Sequence, residues 1–542
     1  MYLFKSPIFK MILPTLIIFL LLRLVFWFNT FPNPDEAYYW LWGQHPDFSY
    51  YDHPPFQAWV QGLFTKIFGQ SLSTLRLPNL ISSGVFFYTY YQITRYLYGR
   101  NGNHYFWVAI ALLIASPLYF LFLALAWHDH WLITFSLIAA FQFIQFLDSY
   151  TNDGKGSSKH LYIAAIALGL ALLCKYNAVF IGVGCLAAVV FNQQWRGLLR
   201  DRRLYLAILI TLSFLLPILI WNVTNDFQSF RYYSDRSIDN TGFRLKIGET
   251  LKFIAFSILM LSPINVWAIV QTLRTSTKPF ANESTSAYPA IAFWIFTTST
   301  LTLIVLSLFS TALYYWNILA YLLLFPLLPQ VFLRKKTGVR SQESGDGGGK
   351  GVREWKSGQV SEMPSSSPSS PSPSPSSFPR PSCLFYAGQF YGLLFAALLV
   401  FHYSLLPLSV FSSGDSDPDS RLLFGWEQVE AIVQQQAAEL GEQSFLVTAD
   451  YRTASALAYQ LNNPDVLAIS DRVDQFDFWY DANKLKGRNA VILADDWHPL
   501  TPKLLSQFER TSEPQTFAVK RFGFWIKNYH VVKAYAFHDQ IR

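Results

Sequence analysis

NPDEAYYWLWGQHPDFSYYDHPP, residues 33–55, sets an acidic, aromatic, proline-punctuated loop directly after the first hydrophobic run of the chain. Asn33 suits a helix cap, Pro34 the first helical position, and Glu36 the place from which an acid reaches back to the cap. The pattern predicts a short helix from Pro34 to Gln44. Asp35 then falls in the first turn, where free N–H groups and the helix dipole favour its ionised form. Two readings of these acids stand: they only start a helix, or Asp35 takes a proton or holds a cation. Tyr50, Tyr51, Asp52, His53, Pro54 and Pro55 add a carboxylate and an imidazole on a backbone stiffened by two prolines, which favours chemistry.

From Phe56 the sequence turns helical again. Phe56, Trp59, Val60, Leu63, Phe64 and Ile67 recur at three- and four-residue steps, with Gln57, Gln61 and Lys66 on the other face. Such a helix is expected to lie in the membrane interface.

The rest of the chain is too apolar for a soluble globule: of 542 residues 52% are hydrophobic, 18% aromatic and only 14% charged. It reads as a polytopic α-helical membrane protein of about eleven spans, with interfacial helices in the first outer loop. The spans are expected near 11–28, 77–94, 105–124, 131–147, 161–174, 178–192, 204–221, 253–273, 289–309, 313–333 and 384–409. If 161–174 and 178–192 both cross, Arg95, Arg100, Lys155, Lys159, Arg196, Arg200, Arg202, Arg203, Arg274, Lys278 and the basic run from Arg334 to Arg380 share the side of Lys5 and Lys10. That is the positive-inside pattern, so the amino terminus is expected in the cytoplasm and residues 33–55 outside. The net charge of +7 is then a matter of topology and asks for no nucleic acid. Cys174, Cys185 and Cys383 sit in apolar runs without paired spacing, which indicates neither a disulfide frame nor a cysteine zinc site. The first span, long and ending near Trp27, does not read as a cleaved signal peptide.

The domain reading follows: a membrane catalytic domain at 1–333, a Gly/Ser/Pro-rich cytoplasmic linker at 334–382, a final span at 383–411 and an extracytoplasmic α/β domain at 412–542. In the last, strands are expected at 444–449, 466–470, 489–495, 516–520 and 524–532, with helices at 452–461 and 500–508. It has neither a glycine-rich phosphate loop nor a nucleophile elbow, so it is expected to cover or orient the active site rather than catalyse.

Several polar residues interrupt the spans. Arg23 snorkels or pairs. His128, Asp129 and His130 form either a metal-ligand fragment or a polar interfacial turn. Lys175 meets a lipid phosphate or snorkels. Arg231 and Arg236, in an outer loop rich in aromatics, suit phosphate oxygens, while the aromatics suit sugar rings or isoprenoid chains.

The chain resembles the glycosyltransferase C-type superfamily, in its bacterial protein-mannosyltransferase-like and aminoarabinose-transferase-like branch. The residues that carry this are Asp35-Glu36-Ala37-Tyr38-Tyr39, Tyr50 to Pro55, the span from Gly169 to Tyr176, Trp221-Asn222 followed by Ser229-Phe230, and Asp450-Tyr451-Arg452 through Tyr459. The resemblance implies an inverting transfer from a polyprenyl-phosphate sugar to a lipid, glycan or protein acceptor at the outer face of the bacterial cytoplasmic membrane. It makes Asp35 the catalytic carboxylate. With it, Glu36, Tyr38, Tyr39, Tyr50, His53, Asp129, Lys175, Arg231 and Arg236 are the expected substrate-binding residues. Aminoarabinose transferases carry Tyr-Phe-Glu-Lys-Pro-Pro in the second motif, with the Glu on a metal and the Lys near the lipid phosphate. Here Asp52 and His53 stand in those places, which makes Asp52 the candidate ligand of a divalent metal ion and otherwise leaves no cofactor. A transporter or flippase of a lipid-linked sugar is the rival reading. It places ionisable groups near the midplane, whereas here they cluster in outer loops.

Overall fold

The computed structural model describes residues 6–237, 245–275, 286–333, 381–412, 417–441, 443–470, 472–479 and 481–538. Helices α1 (Pro7–Asn29), α2 (Pro34–Gln44), α3 (Phe56–Phe68) and α4 (Leu72–Tyr98) open the fold. They are followed by α5 (Gly102–Ile114), α6 (Pro117–Phe122), α7 (His128–Asp153), α8 (Ser158–Cys174) and α9 (Val179–Phe191). The membrane portion continues through α10 (Arg202–Ser213), α11 (Leu216–Thr224), α12 (Gln228–Ser237), α13 (Ile247–Leu261), α14 (Pro263–Thr275), α15 (Tyr288–Ser307), α16 (Ile318–Tyr321), α17 (Pro329–Phe332) and α18 (Cys383–Val400).

Ten of the eleven expected spans coincide with one helix or a consecutive pair. Fewer qualify as crossings alone. Among the described residues four runs are long and apolar enough, namely α1, α7, α15 and Cys383–Leu405, or up to six if the bent pairs α10–α11 and α13–α14 each count once. The exception is 313–333, where only short helical pieces form. Its backbone is irregular because it runs inside the protein, where other groups satisfy it. The hydroxyls of Tyr119, Tyr90, Tyr288 and Tyr98 donate to the carbonyls of Ile318, Leu322, Leu323 and Pro326 at 2.7, 2.6, 3.0 and 2.8 Å. Arg23 pairs rather than merely snorkelling: its guanidinium donates to the carbonyls of Phe120 and Leu123 at the end of α6, at 2.8 and 3.0 Å.

The three- and four-residue period of α3 separates a buried face from an exposed one. Gln57 and Gln61 are buried, their amides donating to the carbonyls of Ala126 (2.6 Å) and Leu75 (2.8 Å). Leu63, Ile67 and Phe68 are exposed by 55%, 60% and 58%. Gln57 and Gln61 thus face protein, while Lys66 is exposed beside these apolar side chains and Phe56 packs inward on Trp131 and Phe135. Helices α2 and α3 cross at Gly43 and Gly62, where a Cβ on Gly43 would come within 2.5 Å of the Gly62 nitrogen.

The carboxy-terminal domain adds α19 (Pro418–Arg421), α20 (Trp426–Leu440), β1 (Phe445–Thr448), α21 (Tyr451–Leu461), β2 (Leu467–Ala468), α22 (Ala482–Leu485), β3 (Ala490–Asp495), α23 (Pro502–Leu505), β4 (Phe508–Thr511), β5 (Gln515–Arg521) and β6 (Phe524–Phe537). Its sheet runs β2-β1-β3-β6-β4, with β5 also on β6. β1, β2 and β3 are parallel, with Val447 beside Leu467 and Ile492; β6 runs antiparallel, with Val532 beside Ile492. The expected strands and the helix at 452–461 are present, the helix expected at 500–508 is confined to α23 because the chain turns into β4 at Phe508, and α19, α20, α22 and β4 go beyond the expectation. The domain packs on α2 through Phe31 stacked on Trp426 and Trp40 edge-on to Tyr459, with ring centroids 5.6 and 5.1 Å apart. The loop at 33–55 and the domain therefore share one end of the helix bundle.

Candidate active site

The capping pattern read from the sequence forms as expected: Asn33 accepts from the N–H of Asp35 at 3.1 Å, and Glu36 accepts from the N–H of Asn33 at 2.9 Å. The two acids then part. Glu36 is fully buried and takes the Arg76 guanidinium at 3.0 and 2.7 Å and the N–H of Ala126 at 2.7 Å. Arg76 also donates to the carbonyls of Phe26, Trp27 and Thr30. Glu36 is thus the hub joining α1, α2, α4 and the turn before α7.

Asp35 stays partly open. Desolvation raises its pKa to about 7, the negative charges of Asp419 and Asp52 add to the rise, and Arg452 and Lys175 oppose it. A carboxylate so placed takes a proton readily at neutral pH.

The wall on the helix-bundle side holds Asp129, Lys175, His53 and Tyr39. Lys175, the residue that ends α8, lies 2.9 and 3.0 Å from the oxygens of Asp129 in the first turn of α7, with its ammonium 5.1 Å from the Tyr315 ring. His128 packs between Tyr39 and His53, at centroid distances of 4.0 and 4.2 Å.

The opposite wall comes from the carboxy-terminal domain. The Tyr38 hydroxyl accepts from the N–H of Gln475 at 2.9 Å, and the side chain of Gln475 accepts from the N–H of Tyr51 at 2.7 Å. Tyr38 also lies against Tyr451 and stacks on Phe476. Arg452 is held on three sides, by Asp450 (3.0 Å), Asp419 (2.8 Å) and His498 (2.6 Å). Arg472 reaches back to Asp52 at 3.3 Å and lies over the rings of Tyr451 and Tyr232 at 5.1 and 5.6 Å.

The structure thus gathers Asp35, Tyr38, Tyr39, Asp52, His53, Asp129 and Lys175 at one junction. Tyr50 instead closes the loop: it stacks on Trp42, its hydroxyl lies 3.0 Å from the Trp42 carbonyl, and it accepts from the N–H of Asp47 at 3.2 Å. Arg231 is exposed to solvent, and the side chain of Arg236 lies outside the described residues. Asp52 fits a metal poorly. Its carboxylate faces a guanidinium, His130 is bonded to Ser83 at 3.2 Å, and among the described residues no three His, Cys, Asp or Glu side chains converge as an ion would need.

Asp419, Arg452 and Arg472 were not among the expected site residues, yet the sequence carried a signal. Arg452 follows β1 and Arg472 follows β2, and the carboxyl ends of parallel strands are where open α/β sheets place their ligands.

Comparison with known proteins agrees with this architecture. Residues 52–221 match the dolichyl-phosphate-mannose-protein mannosyltransferase family. Over 251 residues the chain is 26% identical to lipid A galacturonosyltransferase RgtD of Rhizobium johnstonii, a match covering 44% of this chain and 49% of that one, about half the relative's length. The structure of ArnT from Cupriavidus metallidurans in the apo state superposes with a TM-score of 0.60 at 14% identity, over 97% of this chain and 98% of that one. The same protein bound to undecaprenyl phosphate gives a TM-score of 0.59 over the same shares. The fold is therefore similar to that of ArnT.

Proposed function

We propose that the protein is an inverting glycosyltransferase that moves a sugar from a polyprenyl-phosphate donor to a lipid acceptor at the outer face of the bacterial cytoplasmic membrane. The observation that carries this is Asp35, a partly open carboxylate poised near neutrality between a membrane-side lysine and an outer wall of arginines. The acceptor hydroxyl attacks the anomeric carbon and gives its proton to Asp35. The carbon–oxygen bond to phosphate breaks with its electron pair on the phosphate, which leaves on its lipid chain. Lys175 stands on the wall nearest the membrane, where a lipid-borne phosphate arrives, and counters its charge, joined by His53 when that imidazole is protonated. The proton on Asp35 then passes to water.

RgtD, by its name, acts on lipid A, and the ArnT structure holds undecaprenyl phosphate. Both support a lipid acceptor and a polyprenyl carrier, and a transferase over a transporter. The topology reading is supported by the bundle itself. Ser6 bonds to His104 at 2.6 Å, and Leu333 pairs with Pro381, both at the end away from α2 and the carboxy-terminal domain. That end is proposed as cytoplasmic. Purified protein in nanodiscs, given defined polyprenyl-phosphate sugars and a lipid acceptor, should form the glycosylated lipid. Absence of transfer from every such donor would overturn the reading.

A further inference from the structure

The wall formed by the carboxy-terminal domain carries an arginine whose planar fork its neighbours match only in part. Arg472 makes one long contact to a single oxygen of Asp52, at 3.3 Å, and a longer one to the Tyr232 hydroxyl, at 3.4 Å. Its side chain is 48% exposed, although Tyr451 and Tyr232 hold its plane. A guanidinium presents a planar fork that matches both oxygens of a carboxylate, and one long contact leaves that match unmade. Arg452, the other cation on this wall, is different: Asp450, Asp419 and His498 occupy it on three sides. Arg472 is thus the cation of this wall that is placed to meet a ligand.

Its place in the fold says which part of the ligand it meets. The donor phosphate is tied to a lipid chain and stays by the membrane-side wall, beside Lys175. Arg472 belongs to the outer domain, at the carboxyl end of β2, and touches Tyr451, a ring that also feels the charge of Asp35. A sugar whose anomeric carbon sits by Asp35 with its phosphate toward Lys175 extends its far edge toward Tyr451 and Arg472.

We propose that Arg472 forms a subsite for a carboxylate on the transferred sugar, so that the donor is a polyprenyl-phosphate uronic acid. This rests on the transferase reading above. On binding, the sugar carboxylate takes the two-toothed position and Arg472 relinquishes its single contact with Asp52. Tyr451 and Tyr232 keep the guanidinium flat, which limits the entropy lost in pairing.

The test is a competition in nanodiscs between two donors that differ only at carbon 6, a hexuronosyl and the matching neutral hexosyl polyprenyl phosphate. Wild type should favour the acidic donor at least about tenfold in kcat/KM. In Arg472→Gln the ratio should fall to near unity, mainly through KM, and Arg472→Lys, which keeps the charge but loses the fork, should fall between. Equal use of both donors by wild type would overturn the subsite, as would an Arg472→Gln variant that slows both donors by the same factor, since that marks a role on the shared phosphate. Turnover of the neutral donor alone would overturn the subsite and leave the transferase reading standing. No turnover of either, nor of any other polyprenyl-phosphate sugar, would overturn both.

Discussion

Arg76 closes on both oxygens of Glu36, at 3.0 and 2.7 Å, while Asp35, one residue away, is left open at the junction of two walls. One turn of helix therefore carries a structural acid and a reactive one. Breaking a buried ion pair by removing one partner strands a charge, at roughly 3–5 kcal/mol. Glu36→Gln and Arg76→Met should each lower the unfolding temperature of the detergent-solubilised protein by several degrees or prevent its accumulation. Unchanged melting in both would show that the pair is no brace.

Asp35→Asn should abolish transfer and leave the fold intact, because the amide keeps the shape but cannot take a proton. The wild-type rate should rise with pH through about 7, where Asp35 ionises. The stability effect has the opposite sense. A carboxyl whose pKa is raised by folding holds its proton more tightly in the native state, so the stability this confers is present in acid and is lost as pH rises through about 7. Asp35→Asn should consequently melt above wild type at pH 8 and level with it at pH 4. Identical melting at both pH values would contradict the raised pKa.

Lys175→Gln should weaken binding of polyprenyl phosphate about tenfold, read by native mass spectrometry, because it removes the positive charge nearest the membrane wall. Recovery of tight binding on adding magnesium would instead assign the phosphate to a bound ion.

At the crossing of α2 and α3 a methyl group has nowhere to go. Gly43→Ala meets the Gly62 nitrogen and the Ala58 carbonyl at 2.5 and 2.8 Å, both backbone atoms that cannot swing aside. Overpacking of this kind costs about 1–3 kcal/mol. Gly84→Ala, with nothing within 4 Å of its Cβ, is the control. Equal melting of the two variants would refute the close approach.

On a cysteine-free background, a membrane-impermeant thiol reagent applied to intact cells should label a cysteine at exposed Ser506 of the carboxy-terminal domain and miss one at Ser366 of the linker. The reverse pattern would invert every loop.

Much of this was legible because local chemistry decided it. The cap at Asn33, the helix after it and the strands of the carboxy-terminal domain follow from spacing and residue type. The crossings were less so, since apolar runs such as 313–333 look like spans whether they face lipid or lie inside the protein, and tyrosines far away in sequence decide which. Tyr50 and Tyr38 are alike as sequence, yet one ring locks its own loop and the other docks the outer domain. Arg472 was hidden for the same reason: it lies 420 positions from its partner Asp52, and only its place after a parallel strand hinted at a ligand.

The bridge between Leu333 and Pro381, reinforced by the N–H of Ser382 on the carbonyl of Phe332 at 3.0 Å, fastens together the two chain ends that flank the Gly/Ser/Pro-rich segment. The two ends thus meet through contacts of their own. A gene cut within that segment and expressed as two polypeptides should reassemble in the membrane into one enzyme, with α18 slotting back against α1 and bringing the outer domain to Asp35.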